Sequence, residues 1–137
     1  MEQSRLRIFD TVGPNRYAFH PGHAIIEKAI ADVEARSRNF WMPYGWREIV
    51  AALHLDLVKL DPDYTIDQVK EKFGGLRFYA NSDAEGFHER IEETEALSFH
   101  VCQDTGTEGE LTKIRYWYCT LSPHIKKIML GSSNEAV

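Results

Sequence analysis

The stretch YTIDQVKEKFGGLRFYANS, residues 64–82, contains two β-type runs on either side of a glycine pair. The runs cover residues 65–73 and 76–80, and Gly74-Gly75 lies between them. A Gly-Gly pair supplies the positive φ angles that a two-residue hairpin turn requires. The stretch therefore predicts an antiparallel hairpin with its turn at Gly74-Gly75.

Amphipathic helices are predicted on both sides of this hairpin. Pro21 opens the first helix, and a second begins at Trp46 and stops before Pro62, since the residue before a proline disfavours the helical region. A third is predicted over residues 83–101, with polar cap residues at its start. Apolar side chains recur at offsets of three and four in all three. These stripes are Ile26, Ile30 and Val33; Trp46, Ile49, Val50, Leu53, Leu57 and Leu60; and Ala84, Phe87, Ile91, Thr94 and Leu97.

Shorter signals occur nearer the two ends of the chain. Residues 5–12 predict a strand. After Cys102 the chain is expected to turn through residues 104–110 into a second β run over 111–121. A short helix is predicted after Pro123, with Ile125, Ile128, Met129 and Leu130 as its apolar side chains. Residues 131–137 are predicted to be a flexible tail.

This order of elements predicts an α+β fold in which helices pack on a small antiparallel sheet built from hairpins. Parallel βαβ units are not expected, because regular alternation of strands and helices is missing. We find no internal repeat, low-complexity tract or linker in the 137 residues. A single domain over residues 1–137 is therefore expected.

Composition narrows the classes of function. A hydrophobic content of 43% excludes a disordered chain, and no apolar run approaches the roughly 20 residues of a membrane span. The N-terminus lacks the pattern of a secretory signal. Two cysteines then predict cytosolic thiols, and the expected localisation is cytoplasmic. The net charge of −5 argues against direct nucleic-acid binding and favours a basic partner.

The negative charge concentrates between residues 83 and 95. Six acidic residues there are offset only by Arg90, which gives a local charge of −5, equal to that of the whole chain. A solvated helix face explains such a pattern without any partner. The alternative is a patch that steers a basic partner by its field. The residues proposed for that patch are Glu85, Glu89, Glu92 and Glu93.

Aromatic residues cluster in two places, residues 39–46 and residues 116–118. Strand alternation places Tyr116 and Tyr118 on one face and Trp117 on the other. Core packing is expected for most of these rings, while exposed ones are candidate interface anchors, because Trp and Tyr bury much area at little entropic cost. The proposed partner-binding aromatics are Trp41, Tyr44, Tyr116 and Tyr118.

The sequence contains only weak indications of a metal site or a catalytic site. Cys102, Cys119 and His124, together with His100, are the residues available for a zinc site, but their spacings are poor for paired ligands on tight turns. Free cysteines are the favoured interpretation, so no metal and no cofactor is expected. The pair His20 and His23 has no visible third ligand. No nucleophile elbow, P-loop or zincin motif is present, and a non-enzymatic protein is expected.

Residues 68–79, QVKEKFGGLRFY, resemble a signature of small, largely uncharacterised proteins of bacteria and phages. Those proteins also carry a GW, matched by Gly45-Trp46, and continue through C-x-x-C-G-x-x-G to a Trp-containing strand and T-L-C-x-x-H. Cys102 is in register with the first cysteine. The other three ligand positions are occupied by Thr105, Ser122 and Ile125. The resemblance therefore implies that residues 98–124 are a degenerate zinc-knuckle-like hairpin that has lost a structural metal.

The resemblance also bears on function, since some of these proteins look like toxin-immunity proteins and others lie in phage genomes. It implies an inhibitor of a protein partner, namely a basic toxin domain. A phage-encoded inhibitor that binds a subunit of a host defence complex is an alternative. A zinc- or thiol-dependent enzyme that uses Cys102, Cys119 and His124 is the rival from a different class.

Overall fold

The computed structural model describes residues 22–131. The predicted strand over residues 5–12, His20 and the tail beyond Gly131 lie outside this range. Helices and strands follow one another along the described chain. They are α1 (His23–Arg36), β1 (Ser37–Phe40), a short 3-10 helix (Tyr44–Trp46), α2 (Arg47–Leu60), β2 (Thr65–Lys72), β3 (Gly75–Asn81), α3 (Phe87–Ser98), β4 (Glu110–Ile114), β5 (Trp117–Leu121) and α4 (Pro123–Gly131).

The predicted α+β class is confirmed, with one parallel strand pair that was not expected. Strands β2 and β3 form the predicted antiparallel hairpin. Strand β1 lies on the other side of β2 and runs parallel to it, so β1, α2 and β2 form a βαβ unit. The prediction that such units are missing is wrong, because β1 has only four residues and one apolar side chain, Phe40. A strand that short shows no periodicity.

The hairpin turn lies one residue earlier than predicted. Phe73 and Gly74 are its central residues, with φ angles of 55° and 88°, and Gly75 pairs with Lys72 as the first residue of β3. A Cβ on Gly75 would lie 2.2 Å from Cζ of Phe99. Gly75 is therefore required for close packing rather than for the turn.

The first three helices cover one face of the three-stranded sheet and form the main core with it. Trp46 is completely buried, and its Nε1–H donates a hydrogen bond to the carbonyl of Val101 at 2.9 Å. Next to it, a Cβ on Gly45 would lie 2.1 Å from the carbonyl oxygen of Cys102. The start of α2 is thus held against the Cys102 loop. Leu60, the last residue of α2, is 43% exposed, so its predicted burial is wrong.

Side chains of α3 protect the free edge of the sheet. The backbone N–H of Leu76 donates to Oγ of Ser98 at 2.8 Å. The N–H of Phe78 donates to a carboxylate oxygen of Glu95 at 2.9 Å. An unpaired edge strand is a template for aggregation. Glu95 therefore serves the fold, although it belongs to the acidic stretch.

A network of polar side chains joins α1, α2 and Tyr64, the residue just before β2. Nε2 of His54 lies 2.7 Å from the Asp32 carboxylate, and Nδ1 lies 2.6 Å from the Tyr64 hydroxyl. Both contacts are satisfied by a neutral imidazole that donates to Asp32 and accepts from Tyr64. Arg36 completes the network with bonds to Asp32 and to the Tyr64 carbonyl. His54 and Tyr64 are almost fully buried, so the network braces the fold and has no access for a substrate.

The buried His54 makes stability depend on pH. Burial lowers the pKa of His54, and the Asp32 carboxylate only partly opposes this. As pH falls below about 6.5, the unfolded chain takes up the proton first. We expect the free energy of unfolding to fall from there toward the folded pKa, by at most about 1.4 kcal/mol per pH unit. Urea titrations of the wild type, His54→Gln and the exposed control His124→Gln will check this. The slope should be lost in His54→Gln alone; an unchanged slope in that variant would contradict the assignment.

Candidate partner-binding surface

The four glutamates predicted to bind a partner are all exposed and lie along α3 or just before it. Glu89, Glu92 and Glu93 occupy the solvent side of the helix, and Glu85 precedes it. We call these four residues the acidic stripe. The opposite side of α3 is buried in the core through Phe87, Ile91 and Thr94, as predicted. The observed helix is shorter at both ends than the predicted one, since residues 83–86 and 99–101 are not part of it.

Arg90, the single cation of this stretch, is turned toward the protein interior. It is only 8% exposed, and its Nε lies 2.7 Å from the carboxylate of Asp56 on α2. Its Nη1 donates to the Thr94 hydroxyl and lies 4.0 Å from the carboxylate of Glu93. Because Asp56 already compensates this charge, the field of the acidic stripe is left largely unbalanced.

Like-charge repulsion within the acidic stripe is expected to lower the stability of α3. Glu89 lies three residues from Glu92 and four from Glu93, spacings at which like charges repel by about 0.2–0.5 kcal/mol per pair. Glu89 is favoured by its place in the first turn, whereas Glu92 has no such compensation. A cost of this kind suits a surface that is selected for binding.

This repulsion gives a test that needs no partner. Glu92→Lys turns the repulsion with Glu89 into attraction, and we expect it to raise the free energy of unfolding by about 0.5–1 kcal/mol at low ionic strength. Glu92→Gln should give about half of that gain. The gain should disappear in about 1 M salt, where the Debye length is only about 3 Å. Denaturant titrations at both salt concentrations will measure it, and a loss of stability in Glu92→Lys would refute the repulsion.

The predicted aromatic anchors are exposed, but they lie in two separate elements of the fold. Trp41 follows β1 and is 61% exposed; Tyr44 begins the 3-10 helix and lies under the Arg47 guanidinium, 5.4 Å from the ring centre. Tyr116 and Tyr118 belong to the β4–β5 hairpin. The expectation that most of these rings pack in the core is wrong, since Trp117 is exposed as well.

Residues 111–121 form a complete hairpin rather than one strand. Arg115 and Tyr116 make its turn, with Arg115 at a φ of 58°, and Thr112 pairs with Cys119 across the ladder. Tyr116 therefore sits at the tip, and the prediction that it shares a strand face with Tyr118 is wrong. The predicted turn over residues 104–110 is instead the loop that leads into β4, which begins at Glu110. Sequence reasoning missed the turn because it contains neither Gly nor Asn.

The two cysteines lie in different environments. Cys102 is fully buried. Burial alone raises the pKa of its thiol, but hydrogen bonds from the Thr105 hydroxyl and from backbone N–H groups of Ser122, Thr105 and Asp104 hold the pKa below its ordinary value. Cys119 is half-buried, and burial together with the nearby carboxylate of Glu71 raises its pKa. The loop after Cys102 and the turn at Ser122 therefore converge on one sulfur atom.

The residues around Cys102 do not fit a zinc ion. Thr105 and Ser122 supply a hydroxyl and backbone donors, and Ile125 packs as a hydrocarbon against the Cys102 cluster. Zinc sites in proteins are built from thiolate, imidazole and carboxylate ligands. In residues 22–131, no three His, Cys, Asp or Glu side chains are grouped so that they could hold a metal ion, and this includes Cys102, Cys119 and His124.

An apolar groove borders the same loop. It has a volume of about 470 Å³ and is lined by Gln103, Asp104, Leu121, Ile125, Ile128 and Met129. The short helix predicted after Pro123 is confirmed as α4. Its apolar side chains pack incompletely, since Ile128 and Met129 are exposed while Ile125 and Leu130 contact the small cluster around Cys102.

Comparisons with protein-family models, with curated proteins and with solved structures find no match to this chain. None of the helices described here is long and apolar enough to cross a membrane.

Proposed function

We propose that this protein is a non-enzymatic inhibitor that binds a basic protein partner through the acidic stripe. The observation that carries the proposal is the division of charge at α3: three glutamates of the helix and Glu85 just before it face solvent, while Arg90 is turned toward the fold. Such a surface raises the rate of encounter with a cationic cleft. Once docked, the helix occludes that cleft.

The resemblance of residues 68–79 to small bacterial and phage proteins suggests the biological setting. On that basis we propose a cytoplasmic immunity protein whose partner is the basic domain of a cognate toxin. A phage-encoded inhibitor of a host defence complex uses the same physical mechanism. The two settings differ in which partner is recovered, and not in the surface that binds it.

Capture from a lysate of the native host tests this proposal. The immobilised wild-type chain is compared with the triple variant Glu89→Lys, Glu92→Lys, Glu93→Lys. A matched control carries Glu34→Lys, Asp63→Lys and Glu108→Lys, which are exposed acidic residues outside the stripe. We expect one basic protein to be retained by the wild type and the control but lost by the stripe variant. Co-expression should then suppress that protein's toxicity. Recovery of the same proteins by all three baits would refute the proposal.

The rival hypothesis of thiol chemistry has its own test. Because Cys102 is fully buried and Cys119 is half-buried, we expect only Cys119 to react with an aromatic disulfide reagent in the native protein. Its raised pKa should make that reaction slow at neutral pH. Both thiols should react after denaturation. Rapid native labelling of Cys102 would instead favour a reactive thiol at this site.

A further inference from the structure

The solvent face of the three-stranded sheet carries basic and aromatic side chains together. Val69 and Phe78 point into the core, so the residues that alternate with them point outward. Ile66 also points into the core, because a register irregularity between Ile66 and Gln68 interrupts the alternation. Lys70 is paired with Arg77, and Gln68 with Tyr79. Directly paired residues of an antiparallel ladder share a face. Lys70, Arg77, Gln68 and Tyr79 therefore lie side by side on the outer surface.

Trp41 extends this face beyond β1. Asn39 is paired with Gln68, and the N–H of Trp41 donates to the carbonyl of Val69 at 3.1 Å, which continues the strand pairing. Residues two positions apart in a strand lie on the same face, so Trp41 lies with Asn39 on the outer surface. Trp41 is 61% exposed and Tyr79 is 44% exposed.

The turn of the hairpin adds a third ring at the end of the face. Phe73 is 66% exposed and adopts a φ of 55°, a conformation that residues of its kind rarely adopt. Nζ of Lys72 lies 5.7 Å from the centre of its ring. An aromatic ring held in solvent beside an amine offers a stacking surface with an adjacent positive charge.

Lys70, Lys72 and Arg77 give this face three positive charges. The exposed Asp67, at the register irregularity between Ile66 and Gln68, adds one negative charge, so the balance of charge on the face is positive. The net charge of −5 therefore averages over two surfaces of opposite sign, the acidic stripe and this sheet face. A negative net charge does not exclude nucleic-acid binding at the sheet face, because binding depends on local charge.

We propose that this sheet face binds single-stranded RNA. Bases stack on the rings of Trp41 and Tyr79. Exposed aromatic rings next to positive charges are typical of surfaces that bind unpaired strands. Phosphates contact Lys70, Lys72 and Arg77. The neutral amides of Asn39 and Gln68 both donate and accept hydrogen bonds, as recognition of a ribose 2′-hydroxyl requires. This activity goes beyond the proposed inhibition and uses none of the residues of the acidic stripe, although Trp41 is also a predicted anchor for the protein partner.

Fluorescence anisotropy with a labelled, unstructured RNA of about 10 nucleotides tests the proposal. We expect Trp41→Ala to weaken binding by about 5- to 150-fold, the usual effect of losing one base-stacking ring. Trp117→Ala is the matched control, since it removes an exposed tryptophan from the β4–β5 hairpin and should leave the affinity unchanged. Circular dichroism confirms that both variants are folded.

Salt dependence tests the charges separately. Three phosphate contacts on a single strand give a slope of about −2 in a plot of log K against log salt concentration. The variant Lys70→Gln, Lys72→Gln, Arg77→Gln should bring this slope close to zero.

Absence of RNA binding at low salt, or equal losses in Trp41→Ala and Trp117→Ala, would overturn the proposal. Equal affinity for DNA of the same sequence would overturn the assignment to RNA, and equal displacement by an acidic peptide would point to a protein ligand instead.

Discussion

Zinc binding is expected to appear when three residues around Cys102 are replaced. The variant is Thr105→Cys, Ser122→Cys, Ile125→His, and it should bind one zinc ion with an apparent free energy of about 10 kcal/mol or more at neutral pH. The reason is geometric: Thr105 and Ser122 already donate hydrogen bonds to the Cys102 sulfur, so positions 105 and 122 border the atom that would be the fourth ligand. The N–H of Ile125 lies 3.3 Å from Oγ of Ser122, which places position 125 one helical turn away.

Elemental analysis after dialysis and competition with a chromophoric chelator measure this gain. The same variant with Cys102→Ser is the control, because it keeps the three new ligands but removes the native sulfur. It should bind zinc much more weakly. Zinc binding by neither protein, or equally by both, would contradict the proposal that residues 98–124 are a degenerate zinc-knuckle-like hairpin.

Reversal of the acidic stripe is expected to have the second large effect. With the captured partner in hand, Glu89→Lys, Glu92→Lys, Glu93→Lys should lower the association rate by about 10- to 1,000-fold at low salt, because electrostatic steering acts on encounter. The dissociation rate should change less than the association rate, because complementary charge acts more on encounter than on the docked complex. Stopped-flow or surface-based kinetics over a range of salt concentrations will separate the two rates.

The matched control decides whether position or total charge matters. Glu34→Lys, Asp63→Lys, Glu108→Lys makes the same change in net charge on exposed residues elsewhere. We expect it to slow association by less than about threefold. If both triple variants slow association equally, net charge rather than the acidic stripe controls encounter, and the proposed docking helix is wrong.

The long apolar patterns predicted the fold well because each covers several turns or a full hairpin. The stripe of α2 from Ile49 to Leu57 is buried as predicted. Strand β1 was missed because four residues with one apolar side chain show no periodicity. The turn at Arg115 was missed because it contains neither Gly nor Asn. The role of Gly75 could not be predicted either, because it packs against Phe99. That residue lies 24 residues later in the sequence and contacts Gly75 only in the folded chain.

The candidate surface could be predicted in composition but not in arrangement. The sequence shows that Arg90 lies among glutamates, yet its inward direction follows from Asp56, which is 34 residues away. Composition likewise indicates an acidic protein. Only the strand register shows that Lys70 and Arg77 stand next to each other with Tyr79 nearby. Tertiary pairing decides such features, and a local pattern contains no information about it.

The most direct test of the acidic stripe is carboxyl footprinting of the complex. Glu89, Glu92 and Glu93 are modified with a carbodiimide and an amine in the free protein and in the bound protein, and Glu34, Asp63 and Glu108 serve as internal references. We predict that binding of the partner protects Glu89, Glu92 and Glu93 and leaves the references unchanged. Unchanged labelling of the stripe in a saturated complex would show that the partner binds elsewhere.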